Sequence, residues 1–562
     1  MAFDQSVPSL ADIQKLFFYN PPVADGIFEL ALVLGGTVSA GAYTAGALDF
    51  LIEALDCWEA DRGDPQMPQH HVILRVITGT SGGGVNAAIA ARAFNFSFPP
   101  VRQSTPDTEA RTGNPFFDCW IHDLTLDRFL ASGQNEHELV SILNGKAIDD
   151  GADNIVSFVA PLKQRPWLAA PLRLILTLTN LAGVPYRLDM LTGTETFVDH
   201  ADYMRFAVVY GDHPAGIDFR PDELVLDFGQ GARGAIGWDR FANFAKGTAA
   251  FPAGFPPREQ TRPTEHYRWR VLADADAPDG YRVLKPDWDA MLTSGAASAD
   301  GNYFFLVMDG GATDNEPIEL GRTALCGLGS RNPRGPIIAD RAVVLIDPFA
   351  GKAELGRQTA GSFADNLGSL VNALTQQTRY DSRDVSLAAD PNIFSRFMLA
   401  PRQDPQSSRP AITSAGLGAF IGFACPAFMR YDYMLGRKSC RDFLFREFAL
   451  AETNAKVFGA PWTQAQKQRF AQGTQLGFLP IIPLTGTAAQ EQPLDSWPAG
   501  KLDPQRYRNA IEKRFQAILK VATPHPVLWQ LATVVAGHIS EGLVADKVIS
   551  AIEQYLDEAQ LK

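Results

Sequence analysis

Cysteine is scarce in this sequence: five residues, Cys57, Cys119, Cys326, Cys425 and Cys440, in a chain of 562. They are odd in number, widely scattered and form no CxxC pair, so nothing suggests a zinc or dithiol redox site, and a reducing compartment is expected. Positive charge is also in short supply. Fifty Lys and Arg face 63 Asp and Glu, a formal net charge of −13, which argues against a nucleic-acid partner and equally against docking on anionic lipid by charge alone. No uncharged apolar stretch reaches the roughly 20 residues that span a bilayer. The N-terminus, MAFDQSVPSLADIQKLFFYN, carries acids where a signal peptide has a basic head. A cytoplasmic protein is expected, whose contact with a membrane would be peripheral and apolar. Internal repeats and low-complexity tracts are lacking too.

What is present is the composition of a globular chain, 46% hydrophobic and 20% charged, long enough for one large domain or two fused units. Leu30 to Leu34 and Val72 to Ile77 read as short buried strands, each followed by glycine and an alanine-rich helical segment, which is the βα pattern of a sheet covered on both faces. Leu172 to Leu178 and Ala342 to Ile346 read as further buried strands. Polar, proline-rich breaks fall at 99–115, which reads as a surface loop, and at 401–410 and 484–504. The most apolar piece of the C-terminal half, AGLGAFIGFACPAFM (415–429), is short and glycine-rich and reads as a buried helix or packed loop rather than a lid facing lipid. Tyr507, Ile511, Phe515, Ile518 and Leu519 recur at helical spacing, as do Val544, Val548, Ile552 and Leu556, so the C-terminus is expected to be helical.

Three stretches carry chemistry. The strand ending at Ile77 runs into Thr78-Gly79-Thr80-Ser81-Gly82-Gly83-Gly84 and then a helix, so Gly79 to Gly83 match GxSxG in the strand-turn-helix context that the motif requires. Ser81 is the candidate nucleophile. An acyl transfer also needs amide donors preset for an oxyanion, and Gly35-Gly36-Thr37, at the end of the first strand, offers such a nest. The glycines at 35, 36, 41 and 46 fit neither GxxxxGK[ST] nor GxGxxG, so a phosphate loop and a dinucleotide fingerprint are not supported. The third stretch, YFFLVMDGGATDNEPIELGRTAL, is an apolar strand that delivers Asp309, followed by Gly310 and Gly311 and a helix starting near Pro317. None of the nine histidines has the local setting of a base; His538, in VVAGHIS, comes closest.

In this order the three stretches resemble the patatin-like phospholipase family, and the blocks at Thr179-Asn180-Leu181, 245–257 and 428–444 are similar to segments of that family. The resemblance implies a three-layer α/β sandwich with a mainly parallel central sheet plus a helical C-terminal region: an N-terminal segment 1–27, a catalytic domain 28–350 and a mainly helical part 351–562. It implies a Ser81–Asp309 dyad, with the Gly35, Gly36, Thr37 and Gly82 amides holding the oxyanion, Gly79 and Gly83 shaping the elbow, and Gly310 and Gly311 following the acid. It implies a lipid or phospholipid acyl ester as substrate, without cofactor or metal. The loop departs from the family's GGGx[KR]G at its third glycine, here Thr37, and at its missing basic residue. A catalytically silent lipid-binding or scaffold protein of the same fold, and an esterase pairing Ser81 with His538, remain the alternatives. Arg430, Asp432, Arg437 and Arg441 read as an internal salt-bridge network rather than a charged rim at the site entrance.

Overall fold

The structure, a computed structural model, describes residues 8–17, 22–105, 110–131, 141–190, 193–211, 219–228, 235–252, 254–273, 277, 281–328, 332–349, 387, 390–402, 409–522 and 541–562. The two apolar runs expected to be strands are β1 (Ile27–Leu34) and β2 (His71–Gly79), and the small-residue segments after them are α1 (Gly41–Ala60) and α2 (Ser81–Ala93). β1 is buried at seven of its eight positions, as a strand covered on both faces must be. The chain continues through α3 (Lys146–Val156) into a long hairpin, β3 (Leu168–Met190) and β4 (Gly193–Val209), then β5 (Glu223–Asp227) and α4 (Trp238–Thr248). Next come β6 (Arg258–Pro263), β7 (Arg270–Ala273), β8 (Tyr281–Pro286), β9 (Asn302–Asp309), α5 (Ile318–Cys326), β10 (Arg341–Ile346) and β11 (Arg396–Leu399). Three longer helices follow: α6 (Pro426–Arg446), α7 (Arg508–Ala522) and α8 (Glu541–Glu558).

The eleven strands join in one sheet whose main path is β11-β10-β1-β2-β3-β4-β5. From β11 to β3 every neighbour is parallel, and β4 and β5 are parallel to each other. β4 returns antiparallel on β3, and β8 and β9 pair antiparallel with β3 farther along its length. The protein is therefore α/β, a mainly parallel central sheet flanked by helices. The register decides where chemistry can happen. Gly79, the last residue of β2, lies beside Leu34 and Leu176, and two residues farther along β3, Leu178 lies beside Asp309.

β11 comes from beyond residue 350 and pairs with β10, while α6 lies along α1 with backbone touching backbone. A Cβ on Gly46 would stand 1.9 Å from the Tyr433 carbonyl oxygen, and one on Gly436 would stand 2.0 Å from that of Tyr43, so only glycine fits either position. Between these helices Arg437, fully buried, pairs with both Asp49 and Glu53. Arg430 pairs with Asp495 at 3.2 Å, Arg441 donates to the Gln490 carbonyl at 2.8 Å, and Asp432 accepts from the backbone and hydroxyls of Thr413 and Ser414. All four residues are taken up in internal contacts.

The expected surface loop at 99–115 is only partly that: Val101 and Asn114 at its ends are buried and both donate to Asp49, and 106–109 lie outside the described residues. The 415–429 segment makes one short helical turn and a 3-10 turn before α6 begins at Pro426. Its Ala419, Ile421, Phe423 and Ala424 are buried, whereas Leu417 is exposed. The C-terminal periodicities are realised as α7 and α8, with Tyr507 in a 3-10 turn just before α7.

Candidate active site

Strand β2 ends in extended backbone at Thr80 (φ −125°, ψ 138°), and Ser81 then takes φ +54° as the first residue of α2. A non-glycine residue in the left-handed region is strained by about 1 kcal/mol or more and persists only where its surroundings hold it. Here the Ser81 amide donates to the Thr248 hydroxyl at 3.0 Å, and the Gly84 amide donates to the Thr80 carbonyl at 3.0 Å. The helix start is pressed against the end of β1: a Cβ on Gly83 would lie 2.2 Å from the Leu34 carbonyl oxygen. The turn presents the Ser81 hydroxyl at the C-terminal rim of the sheet, the edge where open α/β folds bind ligands.

Asp309 ends β9 at the same rim. Its amide donates to the Ala250 carbonyl at 3.0 Å and its carbonyl accepts from the Thr179 hydroxyl at 2.7 Å, which fixes the backbone from two sides. Its carboxylate accepts from the Gly311 amide at 2.8 Å through one oxygen and from the Ser81 hydroxyl at 2.5 Å through the other. Gly310 and Gly311 form the 3-10 turn that follows. Burial raises the Asp309 pKa from 3.8 to about 6, against the pull of the Ser81 and Gly311 bonds. No cation among the described residues pairs with this carboxylate. The effect is chemical: a carboxylate near pKa 6 is a better proton acceptor than a free one near 3.9, and is still ionised at neutral pH.

The glycine-rich loop is arranged differently from the expectation. The Gly35 amide donates to the Ile346 carbonyl at 3.4 Å and the Gly36 amide to the Asn315 carbonyl at 3.1 Å, so both are engaged away from the serine. For Gly35 the reason is the sheet: β1 pairs with β10 up to its last residue, and Gly35 prolongs that pairing; Gly36 is held by the loop before α5. The turn that faces Ser81 comes one step later. Thr37 has φ −137° and ψ −10°, and Val38, a β-branched residue, has φ +49°. No backbone carbonyl among the described residues accepts from the amides of Thr37, Val38 or Gly82. The Thr37 hydroxyl is buried and without a hydrogen-bond partner, 2.4 Å from where a Cβ on Gly82 would stand.

An apolar groove of about 890 Å³, counted with its open mouth, begins beside Val38, Ser81 and Gly82 and runs between α2, α3 and α4. Phe420 and Phe423 of the 415–424 segment line it as well. That segment turns through left-handed φ at Leu417, Gly418 and Ala419, and the Ala419 carbonyl accepts from the Ser39 hydroxyl. Three groups that hold the site, Thr248, Asn86 and Trp120, are not singled out by the sequence motifs. Thr248 accepts from the Ser81 amide, and Asn86 joins the Gly41 carbonyl to the Trp120 ring nitrogen, both at 2.8 Å. Only the small-residue block at 245–257, noted for its likeness to a family segment, hinted at Thr248. No histidine among the described residues hydrogen-bonds Ser81 or Asp309, and His538 lies outside them. Nor does any group of three or more His, Cys, Asp or Glu among the described residues sit where it could hold a metal ion, and no helix among them is long and apolar enough to cross a membrane.

The sequence profile of the family described as patatin-like phospholipase matches residues 32–321, a span that holds the end of β1, the Ser81 turn and Asp309. A Sinorhizobium fredii protein described as uncharacterized protein y4iI is 30% identical over 542 residues, which is 88% of this chain and 75% of that one. Among solved structures, VipD from Legionella pneumophila aligns over 95% of this chain and 85% of its own with 9% identity and a TM-score of 0.20, a level that says nothing of the site.

Proposed function

The chain belongs to the patatin-like phospholipase family, and on that premise we propose that it is a serine hydrolase that cleaves fatty-acyl ester bonds of lipids through Ser81 and Asp309. The observation that carries this reading is the 2.5 Å hydrogen bond from the Ser81 hydroxyl to the buried Asp309 carboxylate, at the mouth of an apolar groove. Asp309 takes the hydroxyl proton as the Ser81 oxygen attacks the ester carbonyl, and the proton then passes to the departing alcohol oxygen as the acyl–oxygen bond breaks. Water, deprotonated by the same carboxylate, attacks the acyl-enzyme, and the proton returns to the Ser81 oxygen as the fatty acid leaves.

For the oxyanion, the Thr37–Val38 turn and the Gly82 amide at the N-terminus of α2 are the donors with free capacity, aided by the positive end of the helix dipole. Gly35 and Gly36 then act by fixing that turn against β10 and Asn315 rather than by donating. Phospholipase A or lysophospholipase activity is the reading we favour, since an almost wholly apolar lining suits an acyl chain and would leave a polar head group at the mouth.

The test is labelling by a fluorophosphonate together with release of fatty acid from a mixed phospholipid and lysophospholipid extract, wild type against Ser81→Ala. Loss of both in the variant, by a factor of about 10³ or more for turnover, is the expected result. Fatty-acid release that survives Ser81→Ala would refute the proposal, and a folded wild type that neither labels nor releases fatty acid would favour the scaffold reading.

A further inference from the structure

Resting on that reading of the site, we propose that the groove is a gauge for acyl-chain length, taking a single chain of about 13 carbons, and that Arg92 is its stop. One face of α2 forms its floor: Ser81, Gly82, Val85, Ala88, Ile89 and Arg92 all line the groove, spaced at helical repeat. Ser81 and Arg92 are eleven positions apart, so the floor is about 16 Å long at ~1.5 Å per residue. An extended chain advances roughly 1.25 Å per carbon, given C–C bonds near 1.5 Å, which sets the count. Ile148, Ala152 and Ile155 of α3 and Phe241 and Ala245 of α4 form the walls.

The far end differs in kind from the rest. The Arg92 guanidinium stands 5.1 Å from the ring centres of Phe96 and Trp238 and 5.2 Å from that of Phe228, and donates to the Phe158 carbonyl at 3.1 Å. No carboxylate among the described residues pairs with it. Lys246, the other cation on the lining, is paired with Asp149 at 3.2 Å. A methylene pushed past Arg92 must strip water from an unpaired cation or emerge into solvent, so the gain per added carbon ends there. Arg92 also lies in the last turn of α2, where a cation suits the helix dipole; that explains the residue type but not its place on the lining.

The experiment compares kcat/KM for p-nitrophenyl esters of 4, 8, 12 and 16 carbons in the wild type, Ala88→Phe, Ala152→Phe and Arg92→Ala, and measures calorimetrically the binding of 8-, 12- and 16-carbon fatty acids to Ser81→Ala. In the wild type each added methylene raises kcat/KM by a factor of about 4 up to 12 carbons, and 16 carbons brings no further gain. Ala88 lies about 10 Å along the floor, so Ala88→Phe lowers the 12-carbon to 4-carbon ratio by at least tenfold, and Ala152→Phe, from the opposite and less buried wall, does the same. Arg92→Ala raises the 16-carbon to 12-carbon ratio. Fatty-acid binding to Ser81→Ala follows the same length order. Ester hydrolysis with one length profile in all four proteins overturns the gauge and leaves the hydrolase intact; length-dependent binding without hydrolysis by the wild type supports the gauge and refutes the hydrolase.

Discussion

The Ser39 hydroxyl donates to the Ala419 carbonyl, a residue 380 positions away in the chain. Through this bond the turn facing Ser81 is tied to the segment whose Phe420 and Phe423 line the apolar groove. Both ends of the bond are buried. Ser39→Ala leaves that carbonyl without its donor and frees the Thr37–Val38 turn. We expect kcat on a short-chain ester to fall about tenfold, the loss of one well-placed bond of about 1.4 kcal/mol, while the pH at which activity rises does not move. Steady-state kinetics across pH checks both.

Activity should rise with pH through about 6. Asp309 must be ionised to accept the Ser81 proton, and burial holds its pKa at about 6. On the acid side kcat/KM therefore falls about tenfold per pH unit. A pH profile of kcat/KM whose acid limb lies near 4 would show that this carboxylate is not the base.

Asp309→Asn should remove activity and raise stability together. The folded-state pKa is raised above the unfolded value of 3.8, so the stabilising effect of protonation is complete below about 3.8 and is lost as pH rises through about 6. At pH 8 the buried charge costs on the order of 3 kcal/mol, which the neutral amide avoids. Turnover is expected to drop by about 10³ or more, with a Tm higher than wild type at pH 8 and the advantage gone at pH 4. Calorimetric scans at the two pH values read it directly.

Arg437 should be the costliest arginine to lose. Its guanidinium is fully buried between Asp49 and Glu53, and Asp49 also accepts from Val101 and Asn114. Arg437→Met leaves two buried carboxylates facing each other, with a loss of about 3–5 kcal/mol. Arg102 and Thr487 still reach Glu53, so Asp49→Asn in the same protein should recover part of the loss. Urea unfolding of the single and double variants measures both.

Much of the architecture could be read from the chain because it depends on local signals. A run such as LALVL is apolar on both faces, and only a sheet covered on both sides buries it; VILRVI is nearly so, its one charge, Arg75, pairing with Glu29 of the neighbouring strand. GTSGGG gives a serine room to turn from strand to helix, and DGG at the end of an apolar strand places a carboxylate at the rim. The glycine-rich loop beside Ser81 was legible, but which of its amides stay free was not. Gly35 and Gly36 read as the donors because glycine adopts unusual backbone most easily, yet β10 takes the Gly35 amide, the Asn315 carbonyl takes that of Gly36, and the left-handed φ falls on Val38 instead. Such a choice is made by β10 and Asn315, about three hundred residues away.

The sequence by itself determined the type of fold, the serine turn and the later strand-end aspartate, since each follows from residues within one strand or one turn, and the acidic character of the chain, which follows from its composition. Only the tertiary structure decided which amides are left to donate, that the 415–424 segment borders the groove, and that burial lifts the Asp309 pKa. Those properties arise from desolvation and from hydrogen-bond partners distant in sequence, and neither leaves a mark in the residues it acts on.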